Sequence, residues 1–376
     1  MIVEAIRRAL FRETKRSATG PLIALHQLGQ PQWTPRSYES LAREGFSANA
    51  VGYRAVRMIA EAAASLPWLV YEGQREIDDH PLLGLLAAPN PGQPGREFAE
   101  QLYGFLLVSG NAYVEKVEID GAPRELYALR PDRIKAVASA NGWAEAYEYS
   151  VNGQSARLAR AGVLHLRLFN PLNDYYGLSP LEAASRAIDT HNAASAWNKA
   201  MLDNSARPSG ALVYGAADGQ LTPEQFERLK TELEQSYQGS ANAGRPMVLE
   251  GGLDWKQMGY SPKDMEFTET KNAAAREIAL AFGVPPMLLG IPGDNTFANY
   301  MEANRSFWRQ TVLPMASRVA EALTGFLGEK RFRLSHDLDQ VEALAADREA
   351  LWARLGKADF LTGEEKRAAV GYGAKG

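Results

Sequence analysis

The chain has 376 residues, 45% of them hydrophobic, which is enough to bury a core in two or more domains. It contains no cysteine, so disulfides, thiolate zinc sites and cysteine nucleophiles are excluded. Its 41 basic and 45 acidic residues give a formal net charge of −4, which argues against a protein that grips DNA through many phosphate contacts.

The first part of the chain predicts an arm followed by an α+β domain. Residues 1–45 carry Gly and Pro without helical or strand periodicity, so we expect an extended arm, and their interspersed charges do not resemble a signal peptide. Helical spacing of apolar residues predicts a helix from Asn49 to Ser65. Residues 66–169 then read as several strands bounded by Pro, Gly and Asn-Gly, with one helix from Arg96 to Val108.

A long alanine-rich helix is predicted over residues 179–206. As one rod, its 28 residues would span about 42 Å at about 1.5 Å per residue. Charged side chains occupy one arc, and the wide small-residue remainder favours close neighbours on several sides, as in a ring of packed helices. The alternative is a helix buried inside a monomeric domain. For the ring, the expected subunit-contact residues are Ala183, Ala187, Ala194, Trp197 and Met201.

A compact module is predicted at residues 207–260, between two long helices. It contains the strand ALVYG, a turn at Asp218, a helix that Thr222 caps, and two further strands, PMVLEGG and LDWKQMGY. Pro223 suits the first helical position and Gln225 completes a capping box. We therefore expect a small α/β unit at this point.

Residues 261–308 predict a helix, a stiff break and a second helix. Ser261, Pro262 and Asp264 form a helix-start pattern, and the helix must end near Gly283 because prolines and glycines follow. The second helix runs to about Gly328, and beyond it a short strand (KRFRLSHDL) and helices over 340–370 are expected. The break contains the loop residues Pro285, Pro286, Gly290, Pro292, Gly293, Asp294, Asn295, Thr296 and Phe297.

Patterns for catalysis or metal binding are weak throughout the sequence. GYGAKG at 371–376 has dinucleotide-fingerprint spacing but no helix to follow, and no phosphate-loop, HExxH or GxSxG pattern occurs. The five histidines are scattered. Asp337 with Asp339 could bind Mg²⁺, and Glu266 with Glu269 could act in acid/base chemistry, although helix caps or solvated faces explain them more simply. We expect no cofactor, no metal and no enzymatic activity.

Several motifs, taken in order, resemble the portal (head-to-tail connector) proteins of siphophage-type tailed bacteriophages. They include RMIAEAAASLPWLVYEG (57–73), DHPLLGLLAAPNPGQPGREFAEQLYGFLLVSGNAYVE (79–115), GLSPLEAA (177–184) and NSARPSGAL (204–212). REIALAFGVPP (276–286) with MLLG, the NYMEANRSFW segment, and FLTGEEKRAAVGYG (360–373) complete the match. The chain is short at its C-terminal end for this family, as in the compact portals of gene transfer agents.

The resemblance implies a portal-type α+β fold that assembles as a ring, a dodecamer in this family. Its parts would be an N-terminal arm (1–45), a wing (46–178 and 298–338), two stem helices (179–206 and 261–282), a clip (207–260), a tunnel loop (283–297) and a short helical crown (339–376). The tunnel loop of the family lines the channel. Mild acidity suits a conduit through which DNA slides without sticking.

The implied partners are double-stranded DNA bound without sequence preference, the major capsid protein, the terminase large subunit and head-tail connector or adaptor proteins. The implied location is the portal vertex of a virion or phage-like particle, after synthesis in the host cytoplasm. Two other readings stay open at the level of sequence. They are another head-tail adaptor or minor capsid protein, and an unrecognised enzyme.

Overall fold

The computed structural model describes residues 33–139, 143–203, 210–214, 222–237, 253–257, 267–293, 296–327 and 331–372. Within these residues, no helix is both long and apolar enough to cross a membrane. Residues 34–376 form one compact unit, and the fold below refers to it.

The start of this unit is helical, which corrects part of the expected extended arm. The Ser37 hydroxyl caps a short helix at Tyr38–Ser40 by accepting a bond from the Ser40 amide, and a π-helical stretch, Leu41–Ser47, continues it. Helix α1 (Ala50–Ala64) follows as predicted, with Asn49 as its N-cap. The remainder of the expected arm, residues 1–32, lies outside the described part.

The α+β region contains more elements than the sequence indicated. Its strands and helices are β1 (Trp68–Glu72), β2 (Arg75–Ile77), α2 (Pro81–Ala87), α3 (Gly95–Ser109), β3 (Asn111–Ile119), β4 (Ala122–Leu129), β5 (Ile134–Ala138), β6 (Ala144–Val151), β7 (Gln154–Ala159) and β8 (Val163–Arg167). Helix α2 and strands β2 and β7 were not predicted. The expectation of one helix here is therefore wrong. Helix α2 was missed because its seven residues are too few to show helical periodicity.

Three antiparallel sheets organise this region. Strands β4, β3 and β8 form one sheet in that order, and β5, β6 and β7 form a second. In the third, β1 pairs with β2 on one side and on the other with β11 (Phe332–His336), from the far end of the chain. The strand predicted near KRFRLSHDL thus exists, and its partner lies more than 250 residues earlier in the sequence.

The predicted 28-residue rod is divided in the structure. Helix α4 (Pro180–Ala183) begins where expected, since Ser179 accepts a hydrogen bond from the Glu182 amide at 2.9 Å. A turn at Ala184 separates it from α5 (Ser185–Asp203). The prediction of one uninterrupted helix over 179–206 is therefore wrong. Residues 204–206 of that prediction lie outside the described residues.

The expected small α/β module is present in its described parts. Strand β9 (Gly210–Tyr214) pairs antiparallel with β10 (Leu253–Gln257), and α6 (Pro223–Tyr237) lies between them in sequence. Thr222 and Gln225 form the predicted reciprocal cap, with bonds of 3.0 and 3.2 Å. The turn at Asp218 and the strand PMVLEGG fall outside the described residues.

Helix α7 (Phe267–Phe282) is followed by a 3₁₀ turn at Pro286–Leu289 and then by a long helix in two parts, α8 (Phe297–Phe307) and α9 (Leu313–Leu327). The start pattern at Ser261 lies outside the described residues. A π-helical turn joins α8 and α9 at Trp308–Val312. Pro314 lacks an amide hydrogen and its ring crowds the preceding turn, which explains the widening at this point.

The C-terminal part consists of α10 (Ala345–Gly356) and α11 (Gly363–Ala369), which fall within the range 340–370 where helices were expected. The main core lies between α1, α3, α4, α7 and α9, where the most buried large side chains meet. These are Ile59, Leu102, Leu106, Leu181, Ile278 and Leu323. Both predicted stem segments therefore join the same core as the wing helices.

Candidate functional site

The first half of the predicted tunnel loop is anchored to the protein. Val284, Leu288 and Ile291 are buried, and Ile291 packs against Ala275 and Ala279 of α7. The amides of residues 288, 290 and 291 each donate to a backbone carbonyl within the loop. This half therefore acts as a rigid base.

Two contacts fix where the loop leaves helix α7. Gly283 has a φ of +65°, and a Cβ there would lie 2.8 Å from the Thr311 hydroxyl, so both conformation and space require glycine. The Thr311 hydroxyl donates to the Gly283 carbonyl. Farther along, the Arg276 guanidinium donates to the Pro292 carbonyl. The exit from α7 and the end of the rigid base are thus both tied down.

The described residues of the second half of the loop and of the start of α8 are exposed. Thr296 caps α8 by accepting a bond from the Asn299 amide at 3.2 Å. Residues 296–302 are all exposed, and the Phe297 side chain is 82% exposed. Tyr300 and Met301 are about half exposed. Asp294 and Asn295 lie outside the described residues.

A helix start that is exposed on all faces and carries large apolar side chains is unusual for a helix that only covers its own core. The described tip offers Phe297, Tyr300 and Met301 together with the polar side chains of Thr296 and Asn299. Such a surface can contact a passing polymer without the firm phosphate contacts that Lys and Arg would make.

The stem-contact residues expected from the sequence do not share one outward surface. Ala187 and Ala194 are buried within the chain, with 6% and 4% exposure, because α5 packs closely against α7. The Trp197 ring stacks on Phe267 of α7, with the ring centroids 3.9 Å apart. Of the five residues, Ala183 is exposed. The side chain of Met201 is outside the described part.

The outward face of α5 carries a different set of small residues. Ala193, Ala196 and Ala200 are exposed and recur at helical spacing. The sequence alone could not choose between the two faces, since both are alanine-rich. The side occupied by α7 decides which alanines remain available to another molecule.

A buried polar joint connects α1 to α5. Asn49, 1% exposed, accepts a bond from the Gly52 amide at 2.9 Å and so caps α1. Its amide nitrogen lies 3.2 Å from His191 Nδ1 and donates to Asn192 Oδ1 at 2.9 Å. Asn192 in turn donates to the Glu44 carbonyl. Sequence reasoning missed this joint, because its members lie more than 140 residues apart.

The candidate chemical groups take structural roles. Asp339 accepts hydrogen bonds from Tyr372 and pairs with Arg348, which accounts for the Asp-x-Asp pattern, and no group of metal-binding residues occurs within the described residues. Burial, followed by the nearby Arg167, lowers the pKa of His165 to about 3. Its Nε2 lies 3.0 Å from Asn111 Oδ1. Glu266 and residues 373–376 of GYGAKG are outside the described part.

Comparisons with known proteins agree with this architecture. A family model described as "Phage portal protein" matches residues 50–371. An uncharacterized protein of Rickettsia bellii (strain RML369-C) is 43% identical over 341 residues, covering 87% of this chain and 88% of the relative. The portal protein of Enterobacteria phage HK97 is 25% identical over 365 residues, covering 93% and 83%.

A solved structure extends the comparison to an assembled particle. A chain in the neck of a native gene transfer agent (GTA) particle, computed with C12 symmetry, is 52% identical and superposes with a TM-score of 0.69. The match covers 96% of this chain and 100% of that one. With a family model spanning most of the sequence and a long relative above 40% identity, the chain belongs to the phage portal protein family.

Proposed function

We propose that this chain forms a ring of cyclic symmetry in the neck of a phage-like particle and that double-stranded DNA passes through it. The observation that carries the proposal is the match over 96% of the chain to a protein in a GTA neck of C12 symmetry. The ring would be a dodecamer. The high identity to GTA proteins supports a gene transfer agent as the particle.

The ring has a docking role as well as a channel role in this proposal. The module of β9, α6 and β10, inserted between α5 and α7, is the clip, and it presents a surface to the terminase large subunit and later to head-tail connector proteins. The wing, residues 46–178 and 298–338, faces the major capsid protein, and the C-terminal helices form a short crown. The insertion of a separate unit between two helices supports the clip assignment.

The tunnel loop, residues 283–297, is the channel-facing element in this proposal. Its anchored base and exposed tip support that role, because a rigid base can hold close to moving DNA a tip that makes few firm contacts with phosphates. Phe297 is the residue expected to reach farthest into the channel, since its side chain is 82% exposed and lies at the end of a helix.

The protein acts without ATPase or nuclease activity in this proposal, and a separate motor docked on the clip supplies the energy for DNA movement. The sequence lacks a phosphate-binding loop pattern. ATP hydrolysis by the purified protein that is lost on substitution of its own acidic residues would refute this part.

Ring formation is tested by mass photometry and negative-stain microscopy of the purified chain. We expect closed rings of a single size class, with a central opening. A chain that stays monomeric over a range of salt and protein concentrations would refute the ring proposal and favour an adaptor or an enzyme.

The tunnel-loop assignment is tested with Phe297→Ala and, as a matched control, Ile291→Ala. We expect Phe297→Ala to leave the ring and its thermal stability unchanged while it reduces the amount of DNA packaged per particle. Ile291 is buried, so Ile291→Ala should lower thermal stability instead. Normal packaging by Phe297→Ala particles would remove Phe297 from the channel surface.

A further inference from the structure

A cationic groove runs along the β8 edge of the β4-β3-β8 sheet. It lies between β8, the loop that follows it and the outer face of α9, and it encloses a cavity of about 1120 Å³. Its floor includes Tyr147 and His165, and its lip includes Phe169, which is 79% exposed. Leu172, in the same loop, is 93% exposed. Two large apolar side chains, Phe169 and Leu172, are therefore exposed to solvent in the loop beside the groove.

Three arginines line this groove, Arg160, Arg167 and Arg318, and all three are exposed. Among the described residues none of them forms an ion pair with a carboxylate. Arg167 donates to the Asp174 carbonyl, and Arg318 donates to the Arg167 carbonyl at 3.4 Å. Asp174 is the single acidic residue among the lining residues described. The groove is therefore positively charged in a chain whose net charge is −4.

The hairpin that β3 and β4 form in the same sheet has complementary properties. The β3-β4 hairpin projects beyond β8, which pairs only with residues 111–115 of β3. Val117 and Tyr127 are exposed on one face of the hairpin, and Ile119, near its tip, is 56% exposed. Over residues 115–125 the hairpin carries four carboxylates against two basic side chains. The hairpin thus combines acidic and apolar groups in the part that extends beyond β8.

We infer that the groove at the β8 edge of one copy receives the β3-β4 hairpin of the next copy in the ring. This contact rests on the proposed ring function and specifies which surfaces form it. A ring closes through heterologous contacts, in which two different surfaces of the chain meet. The groove and the hairpin differ in shape and carry opposite charge, and the hairpin extends along the sheet beyond the end of β8.

Apolar groups on both sides supply the contact area, and the charges set the register. Three large apolar side chains are exposed in the single chain: Phe169, which lines the groove, Leu172, in the loop that follows β8, and Ile119 on the hairpin. Burying them against one another removes apolar surface from water. The arginines, which pair with no carboxylate among the described residues, meet the carboxylates of the neighbouring hairpin.

The cysteine-free sequence allows a direct crosslinking test. Rings carrying both Ile119→Cys and Leu172→Cys are treated with a short bismaleimide linker and separated on a denaturing gel. We expect a ladder of dimers, trimers and higher species up to the closed ring. Rings of each single-cysteine variant should give only the monomer band on the denaturing gel. A matched control pairs Leu172→Cys with Phe360→Cys, which is 86% exposed on the C-terminal helical region and should give no ladder.

Charge reversal provides an independent measurement. Arg318→Glu and Glu125→Arg should each lower the salt concentration at which rings dissociate, measured by mass photometry, and the two changes combined should recover part of the loss. Circular dichroism verifies that each variant is folded.

The outcomes separate this contact from the ring itself. A wild-type chain that forms no ring refutes the proposed function and the contact together. If the wild type forms rings, two results refute the groove contact alone. One is a ladder from the Leu172→Cys and Phe360→Cys control but not from the Ile119→Cys and Leu172→Cys variant. The other is an unchanged salt tolerance of Arg318→Glu rings. In that case the groove faces a different protein.

Discussion

Removing the Asn49 side chain should uncouple helix α1 from helix α5. The Asn49 amide caps α1 and also donates toward His191 and Asn192 on α5. Asn49→Ala therefore loses an N-cap, at a cost of about 1 kcal/mol. It also leaves two buried polar groups on α5 without this donor, at about 1 kcal/mol or more each. We expect a total loss of about 2–4 kcal/mol in the free energy of unfolding.

The loss is measured by chemical denaturation followed by far-ultraviolet circular dichroism, at one fixed protein concentration because assembly adds to apparent stability. Asn49→Ser is the matched control, since serine keeps a capping oxygen but cannot extend an amide donor to α5. It should recover the cap, about 1 kcal/mol, and no more. If Asn49→Ser were as stable as the wild type, the bonds to α5 would contribute nothing and the joint would be refuted.

Asn49→Asp separates capping from the interaction with His191 further. The carboxylate keeps the cap and lies where it favours protonated His191, whose pKa is otherwise lowered, first by burial and then by Lys271. A raised folded-state pKa adds stability below the unfolded-state pKa and loses it as the pH rises through the folded-state value. We therefore expect Asn49→Asp to lose less stability at acidic pH than at neutral pH. Equal losses at both pH values would contradict the proximity of the two groups.

Three further predictions concern other parts of the molecule. Gly283→Ala should destabilise the protein by more than Gly290→Ala in thermal unfolding. Both glycines have a positive φ, but only at residue 283 would the added methyl group meet a threonine hydroxyl, 2.8 Å away. Equal losses of thermal stability would contradict this. His165→Gln should flatten the loss of stability on acidification, because the pKa of His165 is lowered from 6.5 to about 3, so its contribution is present above pH 6.5 and is lost as the pH falls toward 3; unchanged acid denaturation would refute this. Ala187→Glu should abolish folding because it places a charge in the core, whereas Ala193→Glu, on the exposed face of the same helix, should leave a folded chain. Both variants are measured by light scattering and circular dichroism. Folded monomers of Ala187→Glu would contradict the buried position of Ala187.

Local signals in the sequence were sufficient for many element boundaries. Ser179 and Thr222 occupy the caps that their side chains predict, because a cap depends on a hydroxyl and an amide two or three residues away. Gly283 and the prolines after it end a helix for equally local reasons. The family resemblance likewise depended on the order of short motifs, and the family match confirms it.

The break between α7 and α8 could be predicted from its prolines and glycines, but its anchoring to α7 could not. Val284, Leu288 and Ile291 carried an apolar signal within the loop, and their burial depends on the neighbouring face of α7. Pairing of β1 with β11 was also beyond local reasoning, because no short-range pattern specifies a partner more than 250 residues away.

The stem helix shows the same division. Its sequence determined that a long, small-residue helix would form and that another helix could approach it closely. It did not determine which alanines would face that helix, since helical periodicity fixes only the angles between side chains and leaves the rotation of the helix free. The tertiary structure fixes the rotation by stacking Trp197 on Phe267 and burying Ala187, and so leaves Ala193 and its neighbours exposed.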